Sequence, residues 1–147
     1  MQQARTSDAR PAPEFAAAAA ISPIDKKITR ALLWALKPLT NLRRPVPLPF
    51  LTSFLMVALD EGKGVNAYAR ALGIHRAAAS RNLHAIGDRA RNGGPGLGLV
   101  TIQTHPADPL RTRVSLTPKG RLIARQVFRQ LRRIKEVGDN DQLSVRS

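Results

Sequence analysis

Gly73 interrupts a run of helical apolar spacing, and this interruption constrains the fold more than any other feature of the chain. Upstream of it, Val65 to Leu72 sets Tyr68, Ala69 and Leu72 on one side of a short helix. Downstream, a second helix is expected from about His75 to Ala90. Its apolar line is Ala79, Leu83, Ile86 and Ala90, spaced 4, 3 and 4. Glycine breaks the first helix, and Ile74 is expected to plug the turn. Two helices joined by so short a glycine turn form the helix-turn-helix pattern.

The flanks supply the remaining elements. Ser22 can cap a helix whose first position is Pro23, with Asp25 placed as the acid of a capping box. Ile24, Ile28, Ala31, Leu32, Ala35 and Leu39 then recur at helical spacing, Leu33 and Trp34 lie off that stripe, and Pro38 is expected to end or kink the helix. The alternating prolines of residues 43–49 read as an extended connector. A dense apolar helix is expected from Phe50 to Glu61, stopped by Gly62 and Gly64. Residues 92–98 read as a flexible glycine joint. Leu99 to Thr104 and Arg113 to Leu116 read as two short strands around a long loop, residues 105–112. Thr117-Pro118 repeats the logic of Ser22-Pro23 and opens a last helix to about Val137. Ile123, Val127, Leu131 and Ile134 form its stripe; Arg121, Arg125, Arg129 and Arg132 lie opposite. Residues 1–21 and 138–147 are expected to be disordered tails around one domain, 22–137.

Charge narrows the function. The formal net charge is +14, and residues 23–137 hold 21 of the cations and only 6 of the acids. A folded segment so basic repels itself unless it meets a polyanion, and nucleic acid is the first candidate. Cysteine is absent, which excludes disulfides, thiolate metal sites and thiol chemistry. Of the three histidines, His75, His84 and His105, the first two are nine apart and fall on nearly opposite helix faces, the acids are too sparse for a carboxylate pair, and the glycines of 93–98 lack the Gly-Lys-Ser/Thr ending of a phosphate loop. No catalytic residue, metal ligand or cofactor is assigned, and an enzyme is not expected. No apolar run approaches the ~18–20 residues of a membrane span, and a cytoplasmic protein is expected.

Helix, helix-turn-helix, hairpin, helix is the order of a winged helix-turn-helix domain, mainly α with a small β-hairpin. Val65 to Leu83 resembles the helix-turn-helix of MarR-type bacterial transcriptional regulators. Asp108 to Gly120 resembles their wing, followed by the Leu116-Thr117-x-x-Gly120 opening of the next helix. The resemblance covers roughly residues 50–130 and implies a sequence-specific regulator bound to double-stranded DNA. The rival reading is a non-enzymatic structural or interaction protein, either a non-specific DNA-binding protein of nucleoid or plasmid maintenance or a winged-helix docking module.

On the outward face of the second helix, Arg76, Ala77, Ser80, Arg81 and His84 are the candidates for DNA contact. Arginine can pair with guanine O6 and N7 in the major groove. Arg111 and Arg113 near the hairpin tip are candidates for the backbone or minor groove, and Lys119 for a phosphate. The flanking helices, 22–37 and 117–137, are expected to pair two copies through Ile24, Ile28, Leu32, Trp34, Val127, Leu131 and Ile134. The sequence leaves any small-molecule effector unidentified.

Overall fold

The computed structural model describes residues 20–90 and 92–143, with side-chain surroundings to residue 134. Of the expected tails, 1–21 and 138–147, residues 1–19 and 144–147 lie outside the described residues, and 138–143 are helical. Five helices and one hairpin follow in order: α1 (Pro23–Thr40), α2 (Leu48–Leu59), α3 (Val65–Leu72), α4 (Arg76–Ile86), β1 (Val100–His105), β2 (Asp108–Leu116) and α5 (Pro118–Leu143).

Both proline-led helix starts form as their local chemistry dictates. The Asp25 amide donates to Ser22 Oγ at 3.2 Å, and the Ser22 hydroxyl donates to the Asp25 carboxylate at 2.7 Å. At the second start the Gly120 amide donates to Thr117 Oγ1 at 3.0 Å. Elsewhere the proline signals mislead. α1 runs through Pro38 to Thr40, because the proline falls in its last turn. α2 begins at Leu48, two residues before its expected start, because Pro49 falls in the first turn, where no amide hydrogen is needed.

α3 ends where Gly73 takes a left-handed conformation, φ 65°, which only glycine adopts without cost. The amide of Ile74 closes that turn by donating to the Ala69 carbonyl at 3.0 Å. The Ile74 side chain does not plug it: it stays about a third exposed, at 36 %. α4 stops at Ile86, four residues before the expected Ala90. The chain then turns back along α4 instead of forming a loose joint. The amides of Gly96, Leu97, Gly98 and Leu99 donate to the carbonyls of Asp88, Ala85, Gly87 and Ile86 at 2.8–3.0 Å.

The hairpin also departs from its expected long tip. The antiparallel register runs from Val100↔Leu116 to Thr104↔Thr112 and then jumps to His105↔Asp108, so only Pro106 and Ala107 form the turn. The jump leaves Pro109, Leu110 and Arg111 opposite no residue of β1, and a proline in such a bulge owes the ladder no donor.

The core joins all of these elements: Phe54 and Val57 of α2, Tyr68 of α3, Leu83 and Ile86 of α4, Leu99, Val100 and Val114 around the hairpin, and Ile123, Ala124 and Val127 of α5. α1 packs along α5 and adds Ala35 and Leu39. Val127, expected at a dimer seam, therefore lies inside this chain at 3 % exposure. The packed helices of the chain itself bury its stripe. α5 continues to Leu143, past the expected end at Val137.

Candidate nucleic-acid interface

α4 is held by its inner line and shows the solvent its other side. Ala79, Leu83 and Ile86 are each at most 1 % exposed, whereas Arg76, Ala77 and Arg81 are exposed. One candidate falls elsewhere. Ser80 is buried: it flanks the inner line, and its short side chain does not reach out past it. His84 is half-buried. The outward face is thus two arginines around small alanines, a surface that lets the helix backbone come close to base edges. His75 precedes the helix without a side-chain cap bond. The first-turn amides are left for water or for an acceptor such as a phosphate oxygen.

The hairpin presents a second cationic surface. Gln103, Thr104, His105, Arg111, Thr112 and Arg113 line a cleft of ≈ 440 Å³ with Gly62. The Asp108 carboxylate accepts the Leu110 amide at 3.0 Å and stiffens the tip. Arg113 folds back, its Nε 3.3 Å from where a Cβ on Gly62 would stand. Arg111 is left as the cation nearest the tip. Lys119 is exposed, and its ammonium donates to the Leu97 carbonyl at 3.0 Å.

Residues outside the candidate set fix the hairpin to the helix-turn-helix. Gly62 donates to the Val114 carbonyl at 2.8 Å, and Val114 donates to the Lys63 carbonyl at 2.9 Å. Thr112 Oγ1 accepts the Val65 amide at 3.0 Å and so caps α3 from β2. Glu61 accepts the Leu116 amide at 3.0 Å and holds both arms of the Arg121 guanidinium, at 2.6 and 3.0 Å. Tyr68 braces the same turn: its hydroxyl donates to the Asp60 carbonyl at 2.6 Å, and burial pushes its phenol above the ordinary 10.0. No local pattern marks Glu61 or Thr112, because their partners are 55 and 47 residues away.

The Leu116-Thr117-Pro118-Lys119-Gly120 motif has a structural basis here. The Thr117 hydroxyl donates to the Gly98 carbonyl at 2.6 Å, and the Thr117 amide donates to the Leu99 carbonyl at 3.0 Å. A Cβ on Gly120 would collide with that same Leu99 carbonyl. The motif seats the start of α5 on residues 97–99.

Solved structures share this fold. RV1404 from Mycobacterium tuberculosis is 15 % identical over 91 % of this chain and 82 % of its own, with a TM-score of 0.59. A MarR transcriptional regulator from Methanosarcina mazei Go1 is 16 % identical over 86 % of this chain and 81 % of its own, with a TM-score of 0.53. The fold is the MarR-type winged helix. A mutant of MepR from S. aureus, solved bound to an oligodeoxyribonucleotide, has the same fold. It is 15 % identical over 82 % of this chain and 83 % of its own, with a TM-score of 0.57. No family model matches the sequence. No curated protein matches it either. Within this winged helix α4 is the second helix of the helix-turn-helix, and β1–β2 is the hairpin that follows it. Among the described residues, no helix is long and apolar enough to cross a membrane.

Proposed function

We propose that this protein is a sequence-specific regulator of transcription that binds double-stranded DNA and works in the cytoplasm, without enzymatic activity. The observation that carries the reading is the outer face of α4. Arg76 and Arg81 stand exposed around Ala77 on a helix whose inner line is locked in the core, in a winged helix shared with a protein solved on an oligodeoxyribonucleotide. Arg76 and Arg81 read base edges in the major groove, and Arg111, with Arg113 behind it, meets the backbone or the minor groove.

The functional unit in this reading is a homodimer. Ile24, Ile28 and Leu32 make an exposed stripe on α1, 43–62 % accessible, and Trp34 and Leu131 are exposed as well. Ile24, Ile28 and Trp34 share a groove with Ile134 of α5. An apolar strip of this kind marks an interface, and helix-turn-helix readers pair to contact two half-sites. Selection of bound duplexes from a random pool tests the proposal. Enrichment of a near-palindrome is the expected result; a pool that stays random overturns it.

A further inference from the structure

The positive charge of this chain is concentrated away from its reader and wing. Residues 48–86, from α2 through α4, hold four cations and two acids, and the hairpin, 100–116, holds two cations and one acid. α1 holds four cations and one acid. α5 from Pro118 to Ile134 holds six cations and no acid at all. Helices that only need solubility mix the two signs, and like charges four residues apart weaken a helix.

Three of the α5 cations form a ridge. At ~100° per residue, Arg125, Arg129 and Arg132 lie within about 60° of one another, facing away from Ile123, Ala124 and Val127. All three are exposed, whereas those three apolar residues are buried. Arg121 stands on the same side, but Glu61 engages it. Among the acids whose side chains are described, none pairs with the other three. A second copy offers little to neutralise them. Of the five acids whose side chains are described, Asp25 is bonded to Ser22, Asp60 pairs with Lys63, Glu61 holds Arg121 and Asp108 caps its own turn, which leaves Asp88 against three arginines. From Arg125 to Arg132 the helix rises about 10 Å, matching about three successive phosphates along one DNA strand. Arginine also suits phosphate in geometry as well as charge.

We propose that the Arg125–Arg129–Arg132 ridge is a second DNA surface, sequence-independent and separate from α4 and the hairpin, that takes the sugar–phosphate backbone of duplex DNA. The proposal rests on the DNA-binding reading above and extends it. A salt titration of the full chain on a random-sequence duplex of about 20 bp tests it. Each phosphate contact contributes about 0.9 to the slope of log affinity against log salt. Combining Arg125→Gln, Arg129→Gln and Arg132→Gln is expected to lower that slope by about 2.7 and to leave the base preference from pool selection unchanged. The combined Arg→Lys variant keeps the slope.

An unchanged slope in the glutamine variant overturns the proposal. So does a loss confined to phosphatidylglycerol vesicles with DNA binding intact, which would make the ridge a lipid surface. If the triple variant loses helical circular dichroism, Arg129→Gln alone decides: a slope lower by about 0.9 supports the ridge, and no change overturns it. The two readings fail separately. Random-duplex binding without any base preference removes the specific reader and leaves the ridge. A base preference with a slope indifferent to the ridge variants removes the ridge and leaves the reader. A chain that binds no duplex removes both.

Discussion

Glu61 performs two tasks with one carboxylate, and two substitutions separate them. Glu61→Gln keeps an oxygen for the Leu116 amide and removes the charge facing Arg121. The Arg121 side chain is 50 % exposed and that of Glu61 28 %, so water screens the lost attraction. The expected cost is about 0–1 kcal/mol. Glu61→Ala removes the acceptor as well. Leu116 is buried, and its amide then loses the bond that Glu61 makes to it. That adds about 1–3 kcal/mol, the usual cost of an unsatisfied buried donor. Urea unfolding followed by circular dichroism, with equal m-values for the three proteins, measures both steps. The glutamine cost should shrink further at high salt, and the additional alanine cost should not. If glutamine and alanine destabilise equally, the carboxylate acts through charge alone, and its role as a bracket for β2 is refuted.

Other predictions address the reader, the seat of α5, the dimer and pH. Arg76→Ala and Arg81→Ala should each cost ~1–3 kcal/mol on the selected site and relax one base position, measured by competition between duplexes. Ser80→Ala, at a buried position, should leave the base preference intact in the same assay. Gly120→Ala drives a methyl into the Leu99 carbonyl and should destabilise the fold by about 1–3 kcal/mol, visible as a lower thermal midpoint. Light scattering should give twice the 16.0 kDa of one chain, and Leu32→Lys should return it to the single-chain mass with helical content retained; an unchanged mass in that variant contradicts the α1 seam. The Tyr68 phenol is raised in the folded state by burial. Folding therefore favours its protonated form, and stability should decline as pH rises past the unfolded value near 10. Tyr68→Phe should flatten that alkaline decline in pH-dependent unfolding.

Local chemistry was legible in the sequence, and long-range chemistry was not. Ser22-Pro23, Thr117-Pro118 and Gly73 each act within one turn, so capping rules place them correctly. The alternation of apolar residues likewise located α3, α4 and the last helix. What escaped depends on neighbours far along the chain. Residues 92–98 carry every mark of a loose linker, yet this stretch folds back onto α4 because Ala85, Ile86, Gly87 and Asp88 offer carbonyls to it. Pro109 reads as a strand breaker, yet a bulge in a two-stranded ribbon absorbs it. Val127 reads as surplus apolar surface, but the packing of α5 within its own chain buries it. At the interface the arginines of α4 were legible as an outward pair. The bond that Lys119 makes was not, since it depends on where the Leu97 carbonyl sits.

The seat at residues 97–99 also has a mechanical meaning. The amides of these residues are bonded to the end of α4, their carbonyls hold Thr117 and Lys119 at the start of α5, and β1 begins at the next residue. Reader, wing and long helix thus share one joint with no slack in it. A joint of that kind opens as a unit. In native-state hydrogen exchange the amides of Leu97, Gly98, Leu99, Thr117 and Gly120 should be lost together, at one common free energy, instead of fraying one by one from the ends of their separate elements. A tilt imposed on α5 then reaches the C-terminal turn of α4 through these backbone hydrogen bonds.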